Sequence, residues 1–320
     1  MEKDKEVKHL MLSKGMSVGE LIDGFGYTAF NSRRIAEAVD IYEEMIETGA
    51  RKFFGLAGAM VPAGMRNIIS DMIDRGWIDV LVTTGANLTH DLIEAFGCHH
   101  YLRSSSESER DAELRREGIN RIYDVFVRDE AFITLETNLW EIFEDIGEKG
   151  KDISISGLIR EVGLRIEDEN SIIRRAYEKD VPIFCPALAD SIFGLQAWMY
   201  GQTHHLSVNA FADMREFSDL CFGSDKSGVT IVGGGVPKNF IFQSMLLNPD
   251  AGFDYAIQIT MDRVETGGLS GASLEEAVSW GKIKEKGRRV VVYSDATIVL
   301  PLICASLVDR LGGVIRDKKI

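Results

Sequence analysis

The sequence predicts an α/β fold of Rossmann-like type, a largely parallel sheet flanked by helices in a single large domain. Three observations point there. Short apolar runs ended by glycine recur along the chain, segments with helical periodicity separate several of them, and 320 residues suit one large α/β domain. Strands alternating with helices imply right-handed parallel crossovers.

The elements are read in chain order. Residues 1–25 read as an irregular N-terminal arm, and 26–320 as the domain. Apolar residues at helical spacing over 34–47 precede a Gly49-Ala50 stop and predict a helix. Residues 52–57 read as a buried strand ending in Gly58, with a helix beginning around Gly64, Met65 and Arg66. A second strand over 78–84 ends at Gly85, and a helix over 91–95 follows. The polar stretch 104–116 reads as a loop or an exposed helix. Residues 182–186 form a short strand, and 227–232 form another that runs into Gly233-Gly234-Gly235. Residues 254–260 and 289–293 supply two more. No internal repeat is evident.

Composition narrows the function classes. Lys and Arg total 36 against 50 Asp and Glu, a net charge of −14. No surplus of cations exists to neutralise phosphates, so nucleic acid is not the expected partner; an acidic surface suits cationic substrates. The four cysteines at 98, 185, 221 and 304 contain no CxxC pair, so neither a disulfide framework nor a zinc site is expected. His99-His100 and His204-His205 are adjacent pairs, expected to diverge and to hold no metal. No apolar stretch approaches the about 20 residues of a spanning helix. A cytoplasmic protein without membrane partners is the resulting expectation.

Three glycine loops follow strands: Thr83-Thr84-Gly85-Ala86, Gly233-Gly234-Gly235 and Gly267-Gly268. Such loops let a backbone approach phosphate at the carboxyl ends of parallel strands, although none is a GxGxxG or a P-loop. A glycine after a strand more often meets a turn requirement than a ligand. Asp190 and Asp295 stand just after strands, where an acidic residue accepts ribose hydroxyls or caps a helix.

The stretch 267–282, GGLSGASLEEAVSWGK, carries the most chemistry. Ser273 followed by Glu276 fits a capping box that starts a helix near Leu274. Glu276 and Trp280 then share one helix face, and Lys282 follows the expected helix end at Gly281. A lysine kept from bulk water beside an aromatic wall can act as an amine nucleophile that forms Schiff bases. A carboxylate and an indole next to it suit a cationic amine. Capping, core packing and a solvated C-terminal lysine are the plainer alternatives for these three residues.

The chain resembles the deoxyhypusine synthase family from about Phe25 to Leu311. The resemblance rests on Asp79-Val80-Leu81-Val82-Thr83-Thr84, Glu117-Gly118-Ile119-Asn120-Arg121-Ile122, Pro186-Ala187-Leu188-Ala189-Asp190, Gly233-Gly234-Gly235-Val236-Pro237-Lys238, Glu276-Ala277-Val278-Ser279-Trp280-Gly281-Lys282 and Asp295-Ala296. It implies that Lys282 carries an enzyme–imine intermediate and that Glu276 and Trp280 line an amine pocket. It further implies that NAD is held by Thr84, Gly85, Asp190, Gly233, Gly234, Gly235, Gly267, Ser270, Asp295 and Ala296. The implied reaction is NAD-dependent aminobutyl transfer from spermidine to a lysine of a translation initiation factor, in a homotetramer with active sites at subunit contacts. Related homospermidine synthases use a free small amine as acceptor.

Five positions depart from the family pattern. Leu195 and Leu269 stand where the family has amine-binding aspartates, Asn239 replaces a histidine, His90 a glutamate and Thr266 an NAD-contacting aspartate. Losing two carboxylates removes about two charge-assisted contacts of roughly 1.5–3 kcal/mol each. Asp262 and Glu265 are candidate replacements. The sequence thus leaves three readings: the aminobutyltransferase with a protein or small-amine acceptor, a non-catalytic NAD-binding paralogue, and a simple amine dehydrogenase.

Overall fold

The computed structural model describes residues 6–102, 111–147, 152–247 and 252–312. The helices and strands run in the order α1 (Val18–Phe25), α2 (Phe30–Glu47), β1 (Arg51–Leu56), α3 (Arg66–Asp74), β2 (Val80–Thr83), α4 (Gly85–Ala95), β3 (Tyr101–Leu102) and α5 (Asp111–Arg116). Next come β4 (Ile119–Ile122), β5 (Val125–Arg128), α6 (Asp129–Gly147), β6 (Ile153–Ser154), α7 (Ile155–Arg165), α8 (Ile172–Glu178), β7 (Ile183–Phe184) and α9 (Ile192–Gly201). The chain closes with β8 (Val208–Asn209), α10 (Asp213–Phe222), β9 (Ser227–Val232), α11 (Gly235–Ser244), β10 (Phe253–Thr260), α12 (Leu274–Ser279), β11 (Ile283–Tyr293) and α13 (Ala296–Leu311). The fold is α/β with a largely parallel sheet flanked by helices, as the sequence predicts. The chain divides into two compact units, one spanning Met1–Ala57, Arg75–Val82 and Arg215–Ile320, the other Gly58–Asp74 and Thr83–Met214.

In the first unit five strands lie in the order β11-β10-β9-β1-β2. β1 with β9, β9 with β10 and β10 with β11 are parallel, Phe54 facing Thr230 and Ile257 facing both Thr230 and Val290. All six residues of β9 are buried, which is why its sequence is a continuous run and not an alternation. Phe53 packs edge-on to Phe253 and Phe217, with centroids 5.5 and 5.8 Å apart. Ile41, Tyr42 and Met45 of α2 and Leu300, Ile303 and Leu307 of α13 are buried as well. β11 begins at Ile283, six residues before the expected strand, and its added half is Lys- and Glu-rich.

Part of the arm expected to be irregular is helical. Ser17 caps α1 and exchanges bonds with Glu20 in a capping box, a signal the charged surroundings hide. Arg310 of α13 binds Asp23 at 2.6 Å, Asp40 at 2.9 Å and Glu43 at 2.8 Å, and Asp309 accepts from Gly19 N–H at 2.7 Å. Four carboxylates thus tie α1, α2 and α13 together.

The second unit is richer in helix than its sequence suggests. α6 buries Ala131, Leu135, Leu139, Ile142, Phe143 and Ile146 along one face, and Phe143 stacks on Phe193 of α9 at 6.4 Å. Asp91, with no solvent exposure, accepts from Ser171 Oγ, Ile172 N–H, Ile173 N–H and Arg66 Nε at 2.6–3.1 Å. It joins α4 to the start of α8 and carries a paired charge. β3, β5 and β4 form a small antiparallel sheet. Of the polar stretch 104–116, residues 111–116 are helix α5, and 104–110 lie outside the described residues.

Candidate active site

Both ends of α12 are fixed by hydrogen bonds. Ser273 caps it, its Oγ accepting from Glu276 N–H at 3.1 Å. At the other end Gly281 takes a φ of +72°, Gly281 N–H donates to Val278 O, and Lys282 N–H donates to Ala277 O, each at 2.9 Å. This left-handed stop satisfies the last helix carbonyls and favours glycine. Phe253 N–H donates to Lys282 O at 3.1 Å, and Ile283 pairs with Phe253 in the sheet. The Lys282 backbone is therefore held from two sides, and the freedom left is in its side chain. Its Nζ lies 5.2 Å from the centroid of the Trp280 ring, inside cation–π range. The aromatic partner is where the sequence places it. The enclosing wall is not, because within this chain Trp280 is 60% exposed and Glu276 is exposed too.

The triple glycine joins β9 to α11. Gly233 and Gly235 have φ of +76° and +54°, in the left-handed region, and a Cβ on Gly235 would meet open space. Gly234 is extended, and packing alone demands glycine there: a Cβ would lie 2.3 Å from Ser270 Cα. The two loops thus meet backbone to backbone. Gly267, φ +69°, ends a short turn and also faces open space. Ser270 Oγ donates to Asp262, so this candidate carboxylate is engaged with its own loop, while Glu265 is exposed. Thr266 Oγ1 donates to Arg263 O at 2.9 Å. Asn239 Nδ2 donates to Gln243 Oε1 at 3.3 Å, along α11. Asp295 caps α13, its Oδ1 accepting from Thr297 N–H at 2.7 Å, and Ala296 is that helix's first residue.

The remaining candidates lie in the second unit. Thr84 caps α4, its Oγ1 accepting from Asn87 N–H at 3.5 Å. A Cβ on Gly85 would lie 2.3 Å from Ser191 Oγ, so close packing explains this glycine. Asp190 is exposed and is not a cap: Ser191 caps α9, accepting from Gly194 N–H at 3.0 Å. Leu195 of α9 is 46% exposed.

His99 and His100 do not diverge as expected. Their Nδ1 atoms reach the two oxygens of Glu94 at 2.9 and 2.7 Å, and His100 Nε2 lies 2.9 Å from His90 Nδ1. The cause is Glu94 near the end of α4, which also accepts His100 N–H at 3.0 Å and gathers both rings. Burial, with His100 adding to it, lowers His90 to about 4. Burial works against Glu94's charge, but the histidine bonds outweigh it and hold the carboxyl at about 2. Among the described residues no group of three or more His, Cys, Asp or Glu is arranged to hold a metal ion.

Sequence reasoning missed a buried polar pair in the first unit. Lys238 Nζ donates to Gln258 Oε1 at 3.0 Å, Leu269 O at 2.9 Å and Ala272 O at 2.5 Å. Gln258 Nε2 donates to Gly233 O and Ser270 O, each at 2.9 Å. The available signal was a lone amide in the middle of an apolar strand, which must find partners when buried.

Fold and geometry together define an α/β protein with open glycine loops after parallel strands and a backbone-fixed lysine beside an indole. The family model for deoxyhypusine synthase matches residues 20–307, and the chain belongs to the deoxyhypusine synthase family. A Methanosarcina mazei relative described as "Probable deoxyhypusine synthase 1" is 52% identical over 307 residues, spanning 96% of this chain and 95% of the relative. Its Archaeoglobus fulgidus counterpart is 49% identical over 301 residues, spanning 94% and 97%. A solved Entamoeba histolytica structure shares the fold, with a TM-score of 0.67 at 22% identity over 94% of this chain and 96% of that one.

Proposed function

We propose that this protein is an NAD-dependent aminobutyltransferase that moves the butylamine portion of spermidine, through an imine on Lys282, to a lysine of a translation initiation factor. The observation that carries the reading is Lys282 itself, its backbone bonded to both Ala277 O and Phe253 N–H and its Nζ over the Trp280 face. NAD is assigned to Thr84, Gly85, Asp190, Gly233, Gly234, Gly235, Gly267, Ser270, Asp295 and Ala296. The open space above Gly235 and Gly267 fits a group that needs close backbone approach. When bound, a nicotinamide cofactor accepts a hydride from the carbon beside spermidine's secondary amine and later returns it.

The chain's own residues do the rest. Glu276 pairs with a substrate ammonium and Trp280 supplies a π face to it. With diaminopropane expelled, Lys282 Nζ forms the C–N bond that holds the butylimine, and the acceptor amine then displaces the lysine. Imine chemistry requires water to be kept out. Because Trp280 is open in the single chain, assembly into a homotetramer is part of the proposal, as is a cytoplasmic setting. No helix among the described residues is long and apolar enough to cross a membrane.

A second reading, transfer to a free small amine, is favoured by Leu195 and Leu269, both partly exposed where the resemblance calls for aspartates. The test is mass spectrometry of products from NAD and spermidine, with the initiation factor or with putrescine, and borohydride trapping of the lysine adduct. Lys282→Arg abolishes transfer and trapping and leaves NAD binding near wild type, since a guanidinium stays protonated. An active Lys282→Arg variant refutes the mechanism.

A further inference from the structure

Lys238 and Gln258 are not among the residues that the resemblance assigns to the nucleophile, the amine pocket or the cofactor, yet four of their five side-chain hydrogen bonds run to loops of the candidate site. Gln258 is wholly buried and Lys238 nearly so. Lysine is only a donor, so its approach fixes the amide's orientation: Oε1 faces Lys238, and both Nε2 hydrogens face carbonyls. Five bonds result. One joins the pair, three run to Leu269 O, Ser270 O and Ala272 O, and one runs to Gly233 O. The two loops so tied also touch directly, with Gly234 leaving no room for a Cβ beside Ser270.

A polar pair serving only the core would be satisfied within its own strand and helix. Here Lys238 of α11 and Gln258 of β10 direct every side-chain donor, apart from the one that joins them, to Gly233 O and the loop 269–272. Those backbone carbonyls have no side chain by which the sequence could secure them, and unpaired buried carbonyls are costly. We propose that Lys238 and Gln258 are positioning residues, a buried latch that holds the 233–235 turn and the 267–272 loop in the arrangement that binds NAD. The cofactor half of this proposal rests on the function proposed above.

Two variants test it. Gln258→Glu keeps an acceptor for Lys238 and turns an oxygen toward carbonyls that received N–H; Lys238→Met removes three donors at similar length. Hydrogen exchange of the cofactor-free chain reads the latch alone, and NAD titration reads its consequence. In either variant the amides of 267–272 exchange at least about ten-fold faster while β9 and β10 keep their protection. NAD dissociation constants rise about ten-fold, which is 1.4 kcal/mol. Turnover at saturating NAD falls less than affinity does, a split that general destabilisation does not produce. Wild-type loop exchange in a folded variant overturns the latch, and either variant suffices if the other fails to fold. Faster exchange with unchanged NAD affinity overturns the cofactor half. A wild-type chain that binds no NAD overturns the function reading and that half, while exchange still decides the latch.

Discussion

Lys238 makes the latch pH-dependent in a direction that can be worked out. Burial pulls its pKa from 10.5 to about 8, with Glu276 pushing it up and Lys282 pushing it down. A lysine whose folded pKa is depressed binds its proton more weakly in the folded than in the unfolded state, so stability rises with pH between about 8 and 10.5. At 1.36 kcal/mol per pH unit the full drop is about 3 kcal/mol, and residual solvent contact reduces this to about 2 kcal/mol. Guanidinium unfolding of the wild type and Lys238→Met at pH 7.5 and pH 10 isolates this group, because the other lysines, tyrosines and cysteines are common to both. The stability of the wild type relative to the variant should increase by about 1–2 kcal/mol over that range. NAD affinity should move the opposite way. A neutral amine has two hydrogens for three acceptors, so one of Gln258 Oε1, Leu269 O and Ala272 O is left unpaired. A pH-independent difference between the proteins refutes the reasoning. A difference that shrinks with pH says that the three acceptors hold the ammonium charged and that burial is the smaller effect.

Gly85→Ala should cost about 1–3 kcal/mol through overpacking, since its Cβ would lie 2.3 Å from Ser191 Oγ. Adding Ser191→Ala should not fully restore it, as Ser191 Cβ is itself 2.4 Å away; full restoration in denaturant titrations would contradict the packing account. Leu195→Asp with Leu269→Asp should raise kcat/KM for spermidine relative to smaller amines, because each added carboxylate offers a charge-assisted contact to a substrate ammonium. Already efficient use of spermidine and the initiation factor by the unmodified enzyme would remove the case for a small-amine acceptor.

What the sequence conveys about the fold tracks how each element is buried. β9 is enclosed on both faces, and its span is read to the residue because every position is apolar or small. β11 is an edge strand, so its first half, with Lys284, Glu285 and Lys286, faces outward and looks like loop; only 289–293 carries a strand signal. α9 presents the opposite difficulty. Nearly all of IFGLQAWMYG is apolar, with Leu195 and Trp198 exposed and Phe193 and Ala197 buried, so no polar face marks the helical period. α6 is different again: its buried positions recur every three or four residues, so the helical period is present in its sequence.

The site divides along a chemical line. Lys282 follows the helix end as the sequence predicts, because glycine at a helix end announces a left-handed stop and the stop fixes the next residue. Asp190 and Ser191 show the limit of the same reasoning, since either could cap α9 and only the backbone decides between them. The latch lies beyond side-chain patterning altogether. Four of its five bonds end on backbone carbonyls, which every residue possesses, so no residue type in either loop records that it is held. The record sits on the donors instead: a lysine and a glutamine buried beside Pro237, Ile257 and Ile259. Burying an ammonium works against folding at neutral pH. A buried cation and its amide partner, whose hydrogen bonds together reach into two glycine loops, are what a requirement for loop position, more than for core stability, would leave behind.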